Sequence, residues 1–280
     1  LPITKYLTEH KIIFRTANLS HGYKLLSSLF FLNSTFYLPF IEYYSFHFSL
    51  IYFLIFFNFF VLKEIYSNQS HEILKYLYLL AFIFFNLSFN RLAEYGTDKA
   101  GQLLIVILMI KTFDITCLKK KDIHYEELLF LIPLFGFCLT LKTYFIPYIL
   151  FAGMVFVYRK NYKNILKKLI FSRSFVFLII TVLIYFFLNF VSTGCIISPI
   201  PLTCFGDNLD WAYNRLHFEN LSNWLEQWAK AGAGPNFRVE NSREYIQDFN
   251  WVSHWFEVYF MGKVKDQILL FFGSFILVLF

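Results

Sequence analysis

The chain has 280 residues, of which 58% are hydrophobic and 22% aromatic, with 39 Phe and only 16% charged side chains. A soluble domain is roughly 45–50% apolar and about 25% charged, so these side chains cannot cover a water-exposed globule, and the composition is that of a membrane protein. It excludes a disordered chain, a cytosolic single-core enzyme and a disulfide-stapled secreted module, and the net charge of +6 concentrates between apolar runs rather than forming a nucleic-acid footprint.

Residues 1–44 alternate polar and apolar positions without reaching span length, as expected of helices lying at a membrane surface or folded over the spans. Their polar positions include Lys5, Glu9, Arg15, Asn18, His21, Lys24, Asn33 and Glu42. The stretch from Ala17 to Gly22 reads as a loop entering a helix, with Ser20 as its N-cap. The segment is either a lid or acceptor-side surface, or an amphipathic anchor.

Apolar runs follow at 45–62, 73–90, 101–116, 125–141, 143–158 and 173–193, and a last one begins at Ile268. They predict an all-α fold: a polytopic transmembrane helix bundle of about seven spans, with amphipathic interfacial helices in the outer loops. The expected organisation is an extracytoplasmic amphipathic segment over 1–44, the bundle over 45–193, a Trp-rich loop over 194–267 and the start of a further span over 268–280. That last run would rise only about 20 Å against roughly 30 Å of hydrocarbon. With Leu rather than Met at position 1, it leads to the expectation of a chain cut at both ends. The heavy use of Phe, Tyr, Ile, Lys and Asn is a coding bias, so a single Phe says little.

Orientation follows from where Lys and Arg gather in the short loops. Lys119, Lys120 and Lys121 occupy one connection, and Arg159, Lys160, Lys163, Lys167, Lys168 and Arg173 crowd another, so both are expected in the cytoplasm. Alternation then puts residues 1–44, the 90–101 loop, the turn at Leu141–Thr143 and the 194–267 segment on the opposite side of a cytoplasmic membrane.

The loop from Asn90 to Gln102 carries Arg91, Glu94, Asp98 and Lys99. A short turn needs Gly96, but it does not need four charges of mixed sign. Two carboxylates and two cations beside a membrane suit a bound divalent ion or a phosphate held by Arg and Lys. The bland alternative is a solvated hairpin whose charges pair among themselves. Lys142 interrupts an otherwise apolar hairpin, either snorkelling to the interface or meeting a lipid phosphate.

Cys195 and Cys204 flank a proline-stiffened loop on the predicted outer side, while Cys117 and Cys138 fall in a cytoplasmic loop and a span. Either the first two form a disulfide or they are separately buried thiols. The segment Asp207–Gln267 holds all 5 Trp. Leu221, Trp224, Leu225 and Trp228 follow helical spacing, as do Tyr245, Phe249, Val252 and Phe256 more loosely, with Ala231–Asn236 a flexible break between two amphipathic helices. They form either interface helices or a sugar-stacking surface. His217 and His254 lack partners at zinc-ligand spacing.

The runs Leu1-Pro2, Ala17-Asn18-Leu19, Leu32-Asn33-Ser34-Thr35, Glu94-Tyr95-Gly96-Thr97-Asp98 and Ser192-Thr193-Gly194-Cys195 to Thr203-Cys204-Phe205 resemble a poorly characterised family of bacterial multi-spanning proteins. That family is similar to the GT-C class of glycosyltransferases, which transfer a sugar from a polyprenyl-phosphate carrier to an acceptor outside the cytoplasmic membrane. The resemblance implies a principal catalytic acid in the first outer loop, just ahead of Leu1. It leaves Glu94 and Asp98 as second-loop acids and Arg91, Lys99 and Lys142 as phosphate contacts. The implied partners are a polyprenyl-phosphate-linked sugar, membrane lipid and a glycan, lipid or protein acceptor, with a divalent cation as an open question. A polymerase or ligase of lipid-linked glycans, a transporter and a structural scaffold are the competing readings.

Overall fold

The apolar runs wind into helices whose ends are marked by the residues expected to stop or start them. The computed structural model describes the chain apart from residues 1, 20, 69, 93–96, 119–124, 149, 152, 155–161, 231–238, 240 and 280. The fold is all-helical, and the described residues contain no strand, only the isolated bridges Leu38 to Glu42 and Cys195 to Cys204. Contacts divide the chain into two compact units, Leu1–Ile12 with Leu26–Leu188, and Ile13–Leu25 with Asn189–Phe280.

In the first unit α1 (Pro2–Glu9) and α2 (Ser28–Thr35) pack together. Ser27 caps α2 by accepting from the Leu29 amide at 3.2 Å, which satisfies one of the free amides of a helix start. Then come α3 (His47–Ile65), α4 (Glu72–Leu87), α5 (Asp98–Phe113), α6 (Tyr125–Leu141) and α7 (Tyr162–Ile170). On α4 the buried positions Leu74, Tyr78, Ala81 and Phe85 recur every three to four residues and face α3, where Phe53, Phe57 and Val61 are buried. Phe57 and Phe85 meet edge to face at 5.2 Å. Asn58 and Asn86 exchange carboxamide hydrogen bonds of 3.0 and 2.8 Å between the same helices, so neither polar group is left bare in apolar surroundings.

Helix α5 is the central element, contacting α3, α4 and α6. Its small residues Ala100 and Gly101 admit the buried ring of Phe145 from the 3₁₀ turn Thr143–Tyr148. A Cβ on Gly101 would stand 2.1 Å from that ring.

Among the described residues three helices are long and apolar enough to cross a membrane: Tyr43–Ile65, Asp98–Leu118 and Arg173–Thr193. These correspond to three of the expected runs, and the described residues do not give about seven such spans. The reason is helix length. Helix α4 has 16 residues, about 24 Å, and α6 has 17 with Pro133 inside. The run expected at 143–158 opens instead as the 3₁₀ turn, which carries Pro147. Helix α8 (Arg173–Thr193) turns Phe177, Ile180, Leu183, Ile184 and Phe187 outward, each more than half exposed. Such a continuous apolar exposure needs lipid rather than water around it, and the chain is a membrane protein.

The second unit contains the end of α8, α9 (Arg215–Ala229), α10 (Ser242–Ile246), a π-helical stretch Trp255–Val264 and α11 (Lys265–Leu279). Helix α9 covers the first amphipathic repeat, burying Phe218 and Leu221 against Cys195, with Trp224 and Leu225 alongside. The second repeat is not one helix: Asp248 and Phe249 both adopt positive φ, at 51° and 62°, and split Tyr245 from Val252. The Ala231–Asn236 break and Ser20 lie outside the described residues.

Gly101→Val should lower the melting temperature of the detergent-solubilised protein, because the branched side chain must displace the buried Phe145 ring. A loss of about 1–3 kcal/mol is expected, and an unchanged thermal transition would contradict this packing.

Candidate functional site

Helix α5 starts at Asp98, and α6 ends at Leu141, one residue before Lys142. The two helices pack antiparallel enough to bring those ends together, and Lys142 Nζ donates to Asp98 Oδ1 in an ion pair. The side chains remain 42% and 57% exposed, so the pair lies at the surface and contributes only about 0–1 kcal/mol to stability. Asp98 also occupies the first turn of α5, where the helix dipole favours a carboxylate. Lys142 sits 5.6 Å from the Tyr144 ring centre.

Lys99 is one residue further along the helix and points elsewhere. It is buried at 7% exposure, donates to Ser88 Oγ at 2.5 Å and lies 4.6 Å from the Phe85 ring centre. Of the residues the sequence singles out, the structure therefore brings Asp98 and Lys142 together and separates Lys99 from them. Glu94 and the side chain of Arg91 lie outside the described residues. Among the described residues no cluster of three His, Cys, Asp or Glu is arranged to hold a metal ion.

At the opposite end of α5 lies a second charged group that sequence reasoning missed. Lys111 Nζ is 2.9 Å from Glu64 Oε1, with the side chains 13% and 16% exposed. Asp114 is buried beside them on the continuation of α5, and the Tyr78 ring is fully buried. Among the described residues the Tyr78 hydroxyl finds no hydrogen-bond partner, while the charges of Glu64, Asp114 and Glu127 all act on it. The available signal was Lys111 a few residues inside the end of the 101–116 run and Glu64 just past the end of the 45–62 run. Charges there are costly and tend to pair.

The second unit is tied by a disulfide between Cys195 and Cys204. Gly194 precedes it at φ 82°, a conformation glycine adopts without strain, and a Cβ there would meet Ala212 at 2.1 Å. The turn brings the Tyr213 amide to the Thr193 carbonyl at 3.4 Å and leads directly into α9. Arg15 donates to the Asp210 carbonyl at 2.7 Å, and the Phe14 and Phe190 rings meet Trp211 edge on at 5.0 and 5.5 Å.

The span-length helices and the charged groups paired at both ends of α5 define a polytopic helical membrane protein. The chain belongs to the family described as a domain of unknown function, DUF8201, which matches residues 1–280. No curated protein and no solved structure matches it.

Glu64→Gln should destabilise the protein by about 2–4 kcal/mol, because it leaves the Lys111 charge buried without its partner. Glu64→Gln combined with Lys111→Met should recover most of that loss. Thermal denaturation of the three variants checks this, and equal stability of the single variant and the parent would contradict it.

Proposed function

We propose that the protein is an integral-membrane glycosyltransferase of GT-C type. It would move a sugar from a polyprenyl-phosphate carrier to a glycan, lipid or protein acceptor on the outer side of the bacterial cytoplasmic membrane. The observation that supports this reading is the exposed Asp98–Lys142 pair at the end of two packed apolar helices. A carboxylate and an ammonium held side by side there suit a donor whose tail stays in the bilayer and whose phosphate lies at the headgroups.

The chemistry uses both charges. The carrier phosphate draws Lys142 away from Asp98, because an anion with several oxygens competes well for a lysine already held by a weak surface pair. The acceptor hydroxyl attacks the anomeric carbon, the bond from that carbon to the phosphate oxygen breaks, and the polyprenyl phosphate leaves with the electron pair. The released Asp98 accepts the hydroxyl proton. Lys142 stabilises the charge gained by the leaving phosphate.

In this reading α4 and α6 also cross the bilayer, adding two to the three span-length helices and giving five of the about seven expected spans. Helices a turn short of span length are accommodated by local thinning of the bilayer. The buried Glu64–Lys111 pair favours a second reading, transport, since an ion pair within an apolar bundle is often part of a proton path.

The test is sugar transfer from a polyprenyl-phosphate hexose by the full protein in nanodiscs. Asp98→Asn should reduce transfer about a hundredfold or more with little change in melting temperature. Unchanged transfer would remove Asp98 from the site. A parent protein inactive with such donors, together with proton flux that is lost in Glu64→Gln, would replace the transferase reading with transport.

A further inference from the structure

The second unit contains a cleft that neither the resemblance nor the family match assigns. Its floor comes from one stripe of α9: His217, Asn220, Leu221 and Trp224 stand at i, i+3, i+4 and i+7, the spacing that puts side chains on one helix face. Lys24 closes it from the chain segment Ile13–Leu25 of the same unit. These five residues line an open cleft of about 310 Å³, at the lower end of the range of small-ligand sites.

Lys24 is fixed there by its surroundings. The Ser192 hydroxyl donates to the Tyr23 carbonyl at 3.2 Å, and the Ser198 hydroxyl donates to the Lys24 carbonyl. The Tyr213 hydroxyl donates to the Ala17 carbonyl at 3.2 Å, tying the start of α9 to the same segment. Lys24 Nζ lies 2.8 Å from His217 Nε2 and 4.7 Å from the Tyr213 ring centre. An ammonium can only donate, so Lys24 is the donor in this contact. The Tyr213 ring stacks on His217 at 4.4 Å and holds its plane.

The charges around the cleft are unbalanced. The two other lysines and arginines described on and just after α9 are neutralised along the helix, Arg215 by Glu219 at 3.1 Å and Lys230 by Glu226 at 2.6 Å. Among the described residues no carboxylate pairs with Lys24. Partial burial pushes its pKa down, the expected response of an ammonium lacking a counter-charge. His217 also stands in the first turn of α9, whose positive dipole end favours an anion nearby.

We propose that this cleft binds a sugar phosphate. The phosphate takes the two remaining N–H groups of Lys24, the C–H face of the sugar ring lies on Trp224, and the Asn220 carboxamide reaches a ring hydroxyl. His217 is a positioning residue that aims the ammonium across the cleft. The same chemistry is carried by a free sugar phosphate and by the headgroup of a lipid-linked sugar. The proposal stands apart from the transferase reading, because binding is measured without any reaction.

The experiment is calorimetric titration of the full protein in detergent with glucose 1-phosphate, inorganic phosphate and glucose, and of the protein in nanodiscs with and without a polyprenyl-phosphate hexose. Binding of glucose 1-phosphate, or of the lipid-linked hexose, that Lys24→Gln weakens is expected, and which of them binds in this way identifies the source; lipid-linked hexose binding that Lys24→Gln leaves unchanged belongs to another site and counts against the cleft. Lys24→Gln should weaken binding about tenfold or more. Trp224→Leu should weaken sugar-phosphate binding while leaving inorganic phosphate unchanged. Asn220→Ala, an exposed position that need not disturb folding, should cost a few-fold with the sugar phosphate alone, about what one neutral hydrogen bond contributes. No binding of either sugar-phosphate probe, or binding unaltered by all three substitutions, would overturn the proposal.

Discussion

Hydrocarbon tolerates neither an unpaired backbone group nor an unpaired charge, and α5 shows how this chain meets both demands. A helix satisfies its backbone internally, so the problem reduces to its charges. Those of α5 sit at its ends, Asp98 with Lys142 at one and Lys111 with Glu64 at the other. Between them the helix is apolar and largely buried, with Leu103, Leu104, Ile107 and Leu108 almost fully enclosed. The packing of α3, α4 and α6 around it follows from that arrangement. Asn58 and Asn86 enter the packed interior as a mutually hydrogen-bonded pair.

Much of this architecture is legible in the sequence. Long uninterrupted apolar runs such as 173–193 identify α8 without ambiguity, because nothing but lipid can face so many exposed apolar side chains. The i, i+3, i+4, i+7 stripe at Leu221, Trp224, Leu225 and Trp228 likewise marks α9. Shorter runs are harder, since hydropathy alone does not separate a short span from a buried helix or a 3₁₀ turn. Thr143–Tyr148 illustrates this: its residues are apolar, but Pro147 and the contact of Phe145 with Gly101 make it a tight turn against α5. The loose second repeat after Tyr245 fails for a similar local reason, the left-handed backbone at Asp248 and Phe249.

The charged groups are only half legible. Asp98 and Lys142 stand out as ions flanking apolar runs, but their pairing across 44 residues of sequence depends on two helices returning to the same level. Lys99 is chemically identical to Lys142 in the sequence, yet one step of about 100° around the helix turns it into the interior towards Ser88. The Lys24–His217 contact spans 193 residues and carries no local pattern at all. It exists because Tyr213, Ser192 and Ser198 tie the segment Ile13–Leu25 to the start of α9. Long-range tethers of this kind assemble polar sites from positions that look unremarkable one by one.

The proposed site requires α5 to cross the bilayer with Asp98 and the Glu64–Lys111 end on opposite sides. Cys117, exposed near the far end of that helix, supplies a native probe, since Cys138 is buried and Cys195 and Cys204 are bonded to each other. A membrane-impermeant maleimide applied to intact cells carrying Asp98→Cys should label position 98 at once and Cys117 only after the membrane is opened. Labelling of both positions from the same side would contradict the transmembrane placement of α5, and with it the charge arrangement on which the proposed site is built.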